Sequence, residues 1–241
     1  MTDLPRPGPL ETGHALFLDF DGTLSPIQDD PVTVALPEGG ADILDALSLH
    51  LGGALAVISG RDLRDLSKRV PDTLWRLGGH GLETCAPGQK PSATPPTAPS
   101  HLHEAVTRAV EGLDGARIEA KGLVFAIHYR AAPALEAELG KRLEAALAGL
   151  DDYRLERGKM VYEAKPGAAN KGKALLAKLL VPPFSGRIPV MVGDDTTDEA
   201  AMEAAQGAGG WAVKIGDGPT LARHRLPDPQ AVWEWLEGAL A

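Results

Sequence analysis

Short apolar runs that end abruptly in small or polar chemistry recur along this chain. Ala15-Leu16-Phe17-Leu18 runs into Asp19, Ala54-Leu55-Ala56-Val57-Ile58 into Ser59-Gly60-Arg61, and Ile188-Pro189-Val190-Met191-Val192 into Gly193-Asp194-Asp195. Unbroken apolar runs of this length predict strands buried on both faces of a parallel sheet. Ile43, Leu44, Leu47 and Leu51 recur at helical spacing between the first two runs, and Leu175, Leu176, Leu179 and Leu180 do so ahead of the third. Strands alternating with helices predict an α/β fold with a Rossmann-like parallel-sheet core. In such sheets ligands bind beyond the carboxyl ends of the strands, so the polar endings would converge on one crevice.

The middle of the chain has another texture. Gly78-Gly79-His80-Gly81 reads as a hinge, and Pro87, Pro91, Pro95, Pro96 and Pro99 among small polar residues read as a loop. Leu123 to Tyr129 predicts a strand, as does Met160-Val161-Tyr162. Pro133 to Leu150 predicts a helix, with proline in its first turn and Leu135, Leu139, Leu143 and Leu147 at four-residue steps. The expected organisation is a core made of residues 1–79 and 166–241, interrupted by a smaller α+β domain over 80–165, with Pro166-Gly167 as the return hinge.

Composition narrows the partners. With a formal net charge of -9 over 241 residues, the chain does not suit nucleic acid, because phosphate backbones select basic surfaces. A small anionic ligand needs only a local positive cluster. Cys85 is the single cysteine, which excludes an intrachain disulfide and fits a reducing cytoplasm. No apolar run reaches the roughly 18 residues needed to span a bilayer, and Pro5, Pro7, Pro9 and Glu11 do not form a signal peptide. A soluble, cytoplasmic protein without a membrane partner is expected.

The strand ends carry the candidate chemistry. Side chains alternate along a strand, so Asp19 and Asp21 share a side while Phe20 points away, and Gly22 frees the backbone to turn. Two carboxylates so close ask for a divalent metal, a shared proton, or both. Asp19 can act as a nucleophile toward phosphorus and Asp21 as a proton donor and acceptor. Ser59 and the amides near Gly60 can hold phosphoryl oxygens. Asn170 is a good N-cap, which places Lys171 at a helix N-terminus suited to an anion. Asp194, Asp195 and Asp198 add carboxylates able to complete a Mg2+ site.

These four segments, in this order, resemble the motifs of the haloacid-dehalogenase-like phosphatase superfamily: Asp19-Phe20-Asp21-Gly22-Thr23, Ser59, Lys171, and Gly193-Asp194-Asp195 with Asp198. The resemblance implies an aspartyl-phosphate intermediate on Asp19, general acid–base work by Asp21, phosphoryl binding by Ser59 and Lys171, and Mg2+ held by Asp19, the Asp21 carbonyl and Asp194. It also makes the insert a cap domain that selects the substrate. Within the superfamily, Ser59-Gly60-Arg61, Gly79-His80-Gly81-Leu82-Glu83, His128-Tyr129-Arg130, Gly158 to Glu163 and Asn170-Lys171-Gly172 are similar to trehalose-6-phosphate phosphatases. That likeness implies hydrolysis of trehalose 6-phosphate to trehalose and phosphate; a monomer is expected. It also implies substrate contacts from Gly22, Gly60, Arg61, His80, Glu83, His128, Arg130, Lys159, Glu163, Asp195, Asp198 and Glu199. Lys165-Pro166 departs from it, standing where the likeness implies Arg-Pro. Phosphatases for sucrose phosphate or mannosyl-phosphoglycerate, a phosphomutase and a non-catalytic sugar-phosphate sensor are the competing readings. Asp21 argues against the sensor, since a pure binder has no use for an acid–base group.

Overall fold

The computed structural model describes residues 4–28, 30–158 and 160–240. It divides into two compact units, residues 1–91 with 170–241 and residues 92–169.

The first unit is built on a seven-stranded sheet. Its strands are β1 (His14–Leu18), β2 (Leu55–Ile58), β3 (Trp75–Gly78), β4 (Glu83–Cys85), β9 (Ile188–Gly193), β10 (Trp211–Ile215) and β11 (His224–Leu226), in the order β11-β10-β9-β1-β2-β3-β4. All neighbours are parallel except the β3–β4 hairpin. The apolar runs are therefore strands buried on both faces, as read from their continuity. Strand alternation sorts their side chains. Leu16, Leu18, Val57, Val190 and Val192 join Leu44 and Leu47 of α1 (Gly40–His50) and Val232, Trp233 and Leu236 of α7 (Pro229–Gly238) in one apolar cluster. Ala15, Phe17, Ile58 and Met191 join Leu175 of α5 (Lys171–Leu179) and Ala201, Met202 and Ala205 of α6 (Thr196–Gly207) in another.

Chain order explains where a ligand can sit. From β1 the strands proceed one way through β2 and β3, whereas β9 pairs with the opposite edge of β1 and the order continues outward to β11. The sheet thus reverses direction between β1 and β9, and loops leaving those two carboxyl ends part to opposite faces and open a crevice. Leu18 pairs with Val192, and the Asp19 amide donates to the Val192 carbonyl at 3.0 Å, so the first and last motifs emerge side by side.

The loop after β1 is braced from the far end of the chain. Gly22 N donates to Ser25 O, and both Leu24 N and Ser25 N donate to Phe20 O. Trp233 of α7 donates its indole N–H to Leu24 O at 2.9 Å, a bond across 209 residues.

The second unit is an antiparallel sheet ordered β5 (Arg117–Lys121), β6 (Val124–His128), β8 (Val161–Pro166), β7 (Tyr153–Gly158). Phe125, Ile127, Tyr129, Tyr162 and Ala164 pack on Leu102, Val106 and Ala109 of α3 (Ser100–Val110) and on Leu139, Leu143 and Leu147 of α4 (Glu136–Leu147). A proline-led 3-10 turn, Pro133–Leu135, precedes α4, so the helix starts three residues later than its proline suggests. Residues 80–91, assigned to the insert on sequence, fall in the first unit because β4 pairs with β3. The chain returns to the first unit at Asn170, after Pro166-Gly167.

Phe184 is fully buried, stacked on Phe17 at 5.2 Å between ring centroids and met edge-on by Trp75 at 5.8 Å. Truncating it to alanine removes both partners and leaves a cavity. Denaturant unfolding of Phe184→Ala is expected to show a loss of about 3–5 kcal/mol.

Candidate active site

Asp19 leaves β1 fully enclosed, and its carboxylate is met from across the chain by Lys171. Asn170 caps α5 by accepting from the Lys173 amide at 3.0 Å, which makes Lys171 the first helical residue. The Lys171 ammonium donates to Asp19 Oδ1 and to Asp198 Oδ1, each at 2.6 Å, and all three residues are buried. Asp198 lies at the start of α6, where its other oxygen accepts the Asp194 and Asp195 amides at 3.1 Å. Asp195 and Asp198 form a capping box there, and the Asp195 side chain also accepts from Thr196 N at 2.7 Å. One carboxylate thus anchors the turn after β9 and neutralises the lysine at once. Sequence reasoning placed Asp198 at the margin of the site, and the structure puts it in the middle.

Asp19, Asp194 and Asp198 each present an oxygen within 4.8 Å of the others. Asp194 Oδ1 is buried and accepts no hydrogen bond. Gly22, at a φ of 85°, lies so close that any Cβ there would collide with the Asp194 carboxylate. An all-oxygen donor set with an unsatisfied buried member is what a hard divalent cation requires. The electrostatics agree. Burial, reinforced by the Asp198 charge, holds the Asp19 carboxyl well above the usual carboxylate range, and the same two causes push Asp194 up to about 7. Burial alone would discharge Lys171, but Asp19 and Asp198 outweigh it and raise its pKa. Three carboxylates against one bonded ammonium leave an excess of negative charge that a cation offsets.

Lys214, which sequence analysis passed over, contributes a second ammonium. It is buried on β10 and donates to the Asp194 carbonyl. Its signal was a lysine inside the apolar run Trp211-Ala212-Val213-Lys214-Ile215, where a charge needs a buried partner.

The other core candidates lie at strand ends and helix starts of the same unit. Ser59 is buried just beyond β2, and its Oγ accepts from the Arg61 amide at 3.1 Å across Gly60. His80 donates its amide to Ser59 O at 2.9 Å from a left-handed conformation (φ 58°), and its ring lies where a Cβ on Gly60 would stand. Asp21 is held by Arg61. Glu83 pairs with Arg64, which also binds Asp62, so it struts β4 against α2 (Leu63–Leu66). Glu199 accepts from Leu221 N at 2.8 Å, while its other oxygen is buried and accepts nothing.

Candidates in the second unit lie on the sheet face opposite its helices or just beyond a strand. His128 pairs with Glu119 at 2.8 Å. Glu163 faces Glu156 across the β7–β8 ladder, and Lys165 lies between them at 2.7 Å from Glu156 and 3.7 Å from Glu163. The lysine that departs from the family pattern is thus an ion-pair partner of a candidate sugar contact. Arg130 is exposed past the end of β6, and Lys159 lies outside the described residues.

A trehalose-phosphatase family model matches residues 17–226, spanning all four motifs and the insert. The chain belongs to that family. It is 37% identical over 246 aligned residues to the trehalose-6-phosphate phosphatase of Escherichia coli (strain K12), covering 98% of this chain and 89% of that protein. It is 40% identical to a probable trehalose-phosphate phosphatase of Sinorhizobium fredii, covering 94% and 86%. The C-terminal domain of Candida albicans trehalose-6-phosphate phosphatase superposes with a TM-score of 0.82 at 23% identity, covering 95% of this chain and 92% of that one. A sugar phosphatase of the haloacid-dehalogenase superfamily superposes at 0.60 and 13% identity, covering 95% of this chain and all of that one, a likeness of fold. Family members of this kind are phosphoric monoester hydrolases, and the expected fold class stands.

The raised Asp194 carboxyl gives the site a pH signature. Its pKa of about 7 in the folded chain exceeds the ordinary 3.8, so the fold retains a proton that the unfolded chain has released. Raising the pH through that window therefore costs the metal-free protein stability, and a cation competing with the proton binds better above it. Mg2+ at about 100 times its Kd should stabilise by about 2.7 kcal/mol, roughly 5–10 °C in a chain of this size. Thermal unfolding should show that gain at pH 8 and a much smaller one at pH 5; equal gains would remove Asp194 from the metal site.

Proposed function

We propose that this chain hydrolyses trehalose 6-phosphate to trehalose and inorganic phosphate, as a Mg2+-dependent, monomeric, cytoplasmic enzyme of trehalose biosynthesis. The observation that carries the reading is the meeting of Asp19, Asp194 and Asp198 around the Lys171 ammonium in a trehalose-phosphatase family member. The lone buried Cys85 fits the cytoplasm, and all core groups come from one chain. Among the described residues no helix is long and apolar enough to cross a membrane.

Chemistry follows from what each side chain has free. Lys171 occupies Asp19 Oδ1, which leaves Oδ2 to attack phosphorus. As the new Asp19 O–P bond forms, the bond from phosphorus to the sugar oxygen breaks, and Asp21 delivers a proton to that leaving oxygen. Asp21 then takes a proton from water, whose oxygen displaces the phosphoryl group from Asp19 and regenerates its carboxylate. Ser59 accepts from Arg61 N and keeps its hydroxyl proton for a phosphoryl oxygen, and the Gly60 amide and Lys171 serve the same group. Asp19, the Asp21 carbonyl and Asp194 would hold Mg2+, with Asp198 and Asp195 behind them. The ion supplies positive charge that lets one anion attack another.

Substrate choice belongs to the remaining polar groups. Gly22, His80, Glu83, Asp195, Asp198 and Glu199 in the first unit, with His128, Arg130, Lys159 and Glu163 in the second, are proposed substrate contacts. A disaccharide presents many hydroxyls, which suits such a set of donors and acceptors.

A phosphate-release panel over trehalose 6-phosphate, sucrose 6-phosphate and mannosyl-3-phosphoglycerate should single out the first, and preference for another would replace the substrate. Free phosphate equal to free sugar excludes a phosphomutase. Asp19→Asn should abolish turnover with its unfolding transition preserved; an active variant would refute the nucleophile. Chelation should stop hydrolysis, and Mg2+ should restore it.

A further inference from the structure

The family likeness makes Arg61 a substrate contact, yet its guanidinium is committed elsewhere. Nε donates to Asp21 Oδ2 at 2.7 Å and Nη2 to Asp21 Oδ1 at 2.5 Å. Nη1 donates to Asp65 Oδ2 at 2.8 Å and to Pro31 O at 3.1 Å. The guanidinium carbon lies 5.5 Å from the centre of the Phe20 ring. Asp65 is fixed in turn by Arg69, whose Nε and Nη2 reach both its oxygens at 2.9 and 2.8 Å, and Arg69 reaches the Val32 and Val34 carbonyls. Alternating charges thus run Arg69, Asp65, Arg61, Asp21, anchored in α2 at one end and in the loop after β1 at the other.

Four of the five guanidinium N–H groups are spent on these bonds, which leaves little with which to grip a sugar or a phosphoryl group. Asp21 keeps more. A carboxylate has about four lone-pair positions, and Arg61 fills two. The Arg61 side chain is 10% exposed and that of Asp21 36%, so the clamp is buried and the clamped group reaches solvent. A fork–fork pair fixes orientation as well as position, which a lysine cannot do.

We propose that Arg61 is a positioning residue for Asp21, a two-point clamp that holds the acid–base carboxyl in one orientation for the proton transfer, with Asp65 holding the clamp. Without it Asp21 samples several rotamers on a loop whose next residue is glycine, and the aligned fraction falls. This inference rests on the phosphatase reading above.

Leaving groups separate this role from the alternatives. A sugar alkoxide leaves only with a proton, whereas p-nitrophenolate leaves without one. Asp21 also activates the water of the second step, which both esters share, so the readout is the single-turnover release of sugar or p-nitrophenolate; there Asp21→Asn sets the reference pattern, a large loss on trehalose 6-phosphate and a small one on p-nitrophenyl phosphate. Arg61→Gln should reproduce it, with a fall of about 10²-fold on the sugar phosphate, KM little changed, and a several-fold fall at most on the aryl phosphate. Arg61→Lys should recover part of the loss, and Asp65→Asn should give the same pattern more weakly; Asp65→Asn carries the test should Arg61→Gln fail to fold. A raised KM with kcat retained would make Arg61 a sugar contact and overturn the clamp. Equal losses on both esters would overturn it in favour of a phosphoryl contact or a structural role. If the wild-type enzyme spares trehalose 6-phosphate, the comparison is made with whichever sugar phosphate of the panel it hydrolyses, so failure of the substrate reading and failure of the clamp are read separately.

Discussion

One buried ammonium organises the catalytic unit. Lys171 is enclosed, and a charge so placed is tolerated only when opposite charges satisfy it. It draws Asp19 from the end of β1 and Asp198 from the start of α6 to one point, 152 and 27 residues away along the chain. Asp198 then fixes the turn that carries Asp194, and Lys214 grips that turn from the neighbouring strand. Strand end, helix start and turn are interlocked by charge where no apolar side chain could do the work. The same arrangement leaves the carboxylates short of positive charge, and that deficit makes the place receptive to a cation and then to a phosphate ester.

Position within the sheet follows from simpler rules. β1 is central, with β2 on one side and β9 on the other, and the reversal of strand order between β1 and β9 is where loops separate and leave room. Alternation along the strands sends Phe17 to one apolar cluster and Leu16 and Leu18 to the other. The carboxylates have nowhere to go but outward past the strand ends. The second unit obeys a different logic: an antiparallel sheet with helices on one face frees its other face for charge.

That difference governs what could be read from the residues alone. Buried parallel strands announce themselves as apolar runs, so β1, β2 and β9 and the carboxylates after them were legible. Lys171 was legible through Asn170, which marks the start of α5. In contrast, β5 (Arg117-Ile118-Glu119-Ala120-Lys121) and β7 (Tyr153-Arg154-Leu155-Glu156-Arg157-Gly158) are edge strands with charged faces, and nothing apolar flags them. Gly79 and Gly81, which read as a hinge, turn the chain from β3 into the hairpin strand β4, so residues 80–91 make their contacts in the first unit. Pairings such as Arg61 with Asp21, or Arg64 with Glu83, are set by which strand ends become neighbours. No local pattern encodes them, so residues taken as substrate contacts proved to have protein partners.

The indole bond from Trp233 to Leu24 ties α7 to the loop that carries Asp21. Folding of α7 and seating of that loop are thereby coupled, because the buried indole N–H and the Leu24 carbonyl each lose a partner when the other is absent.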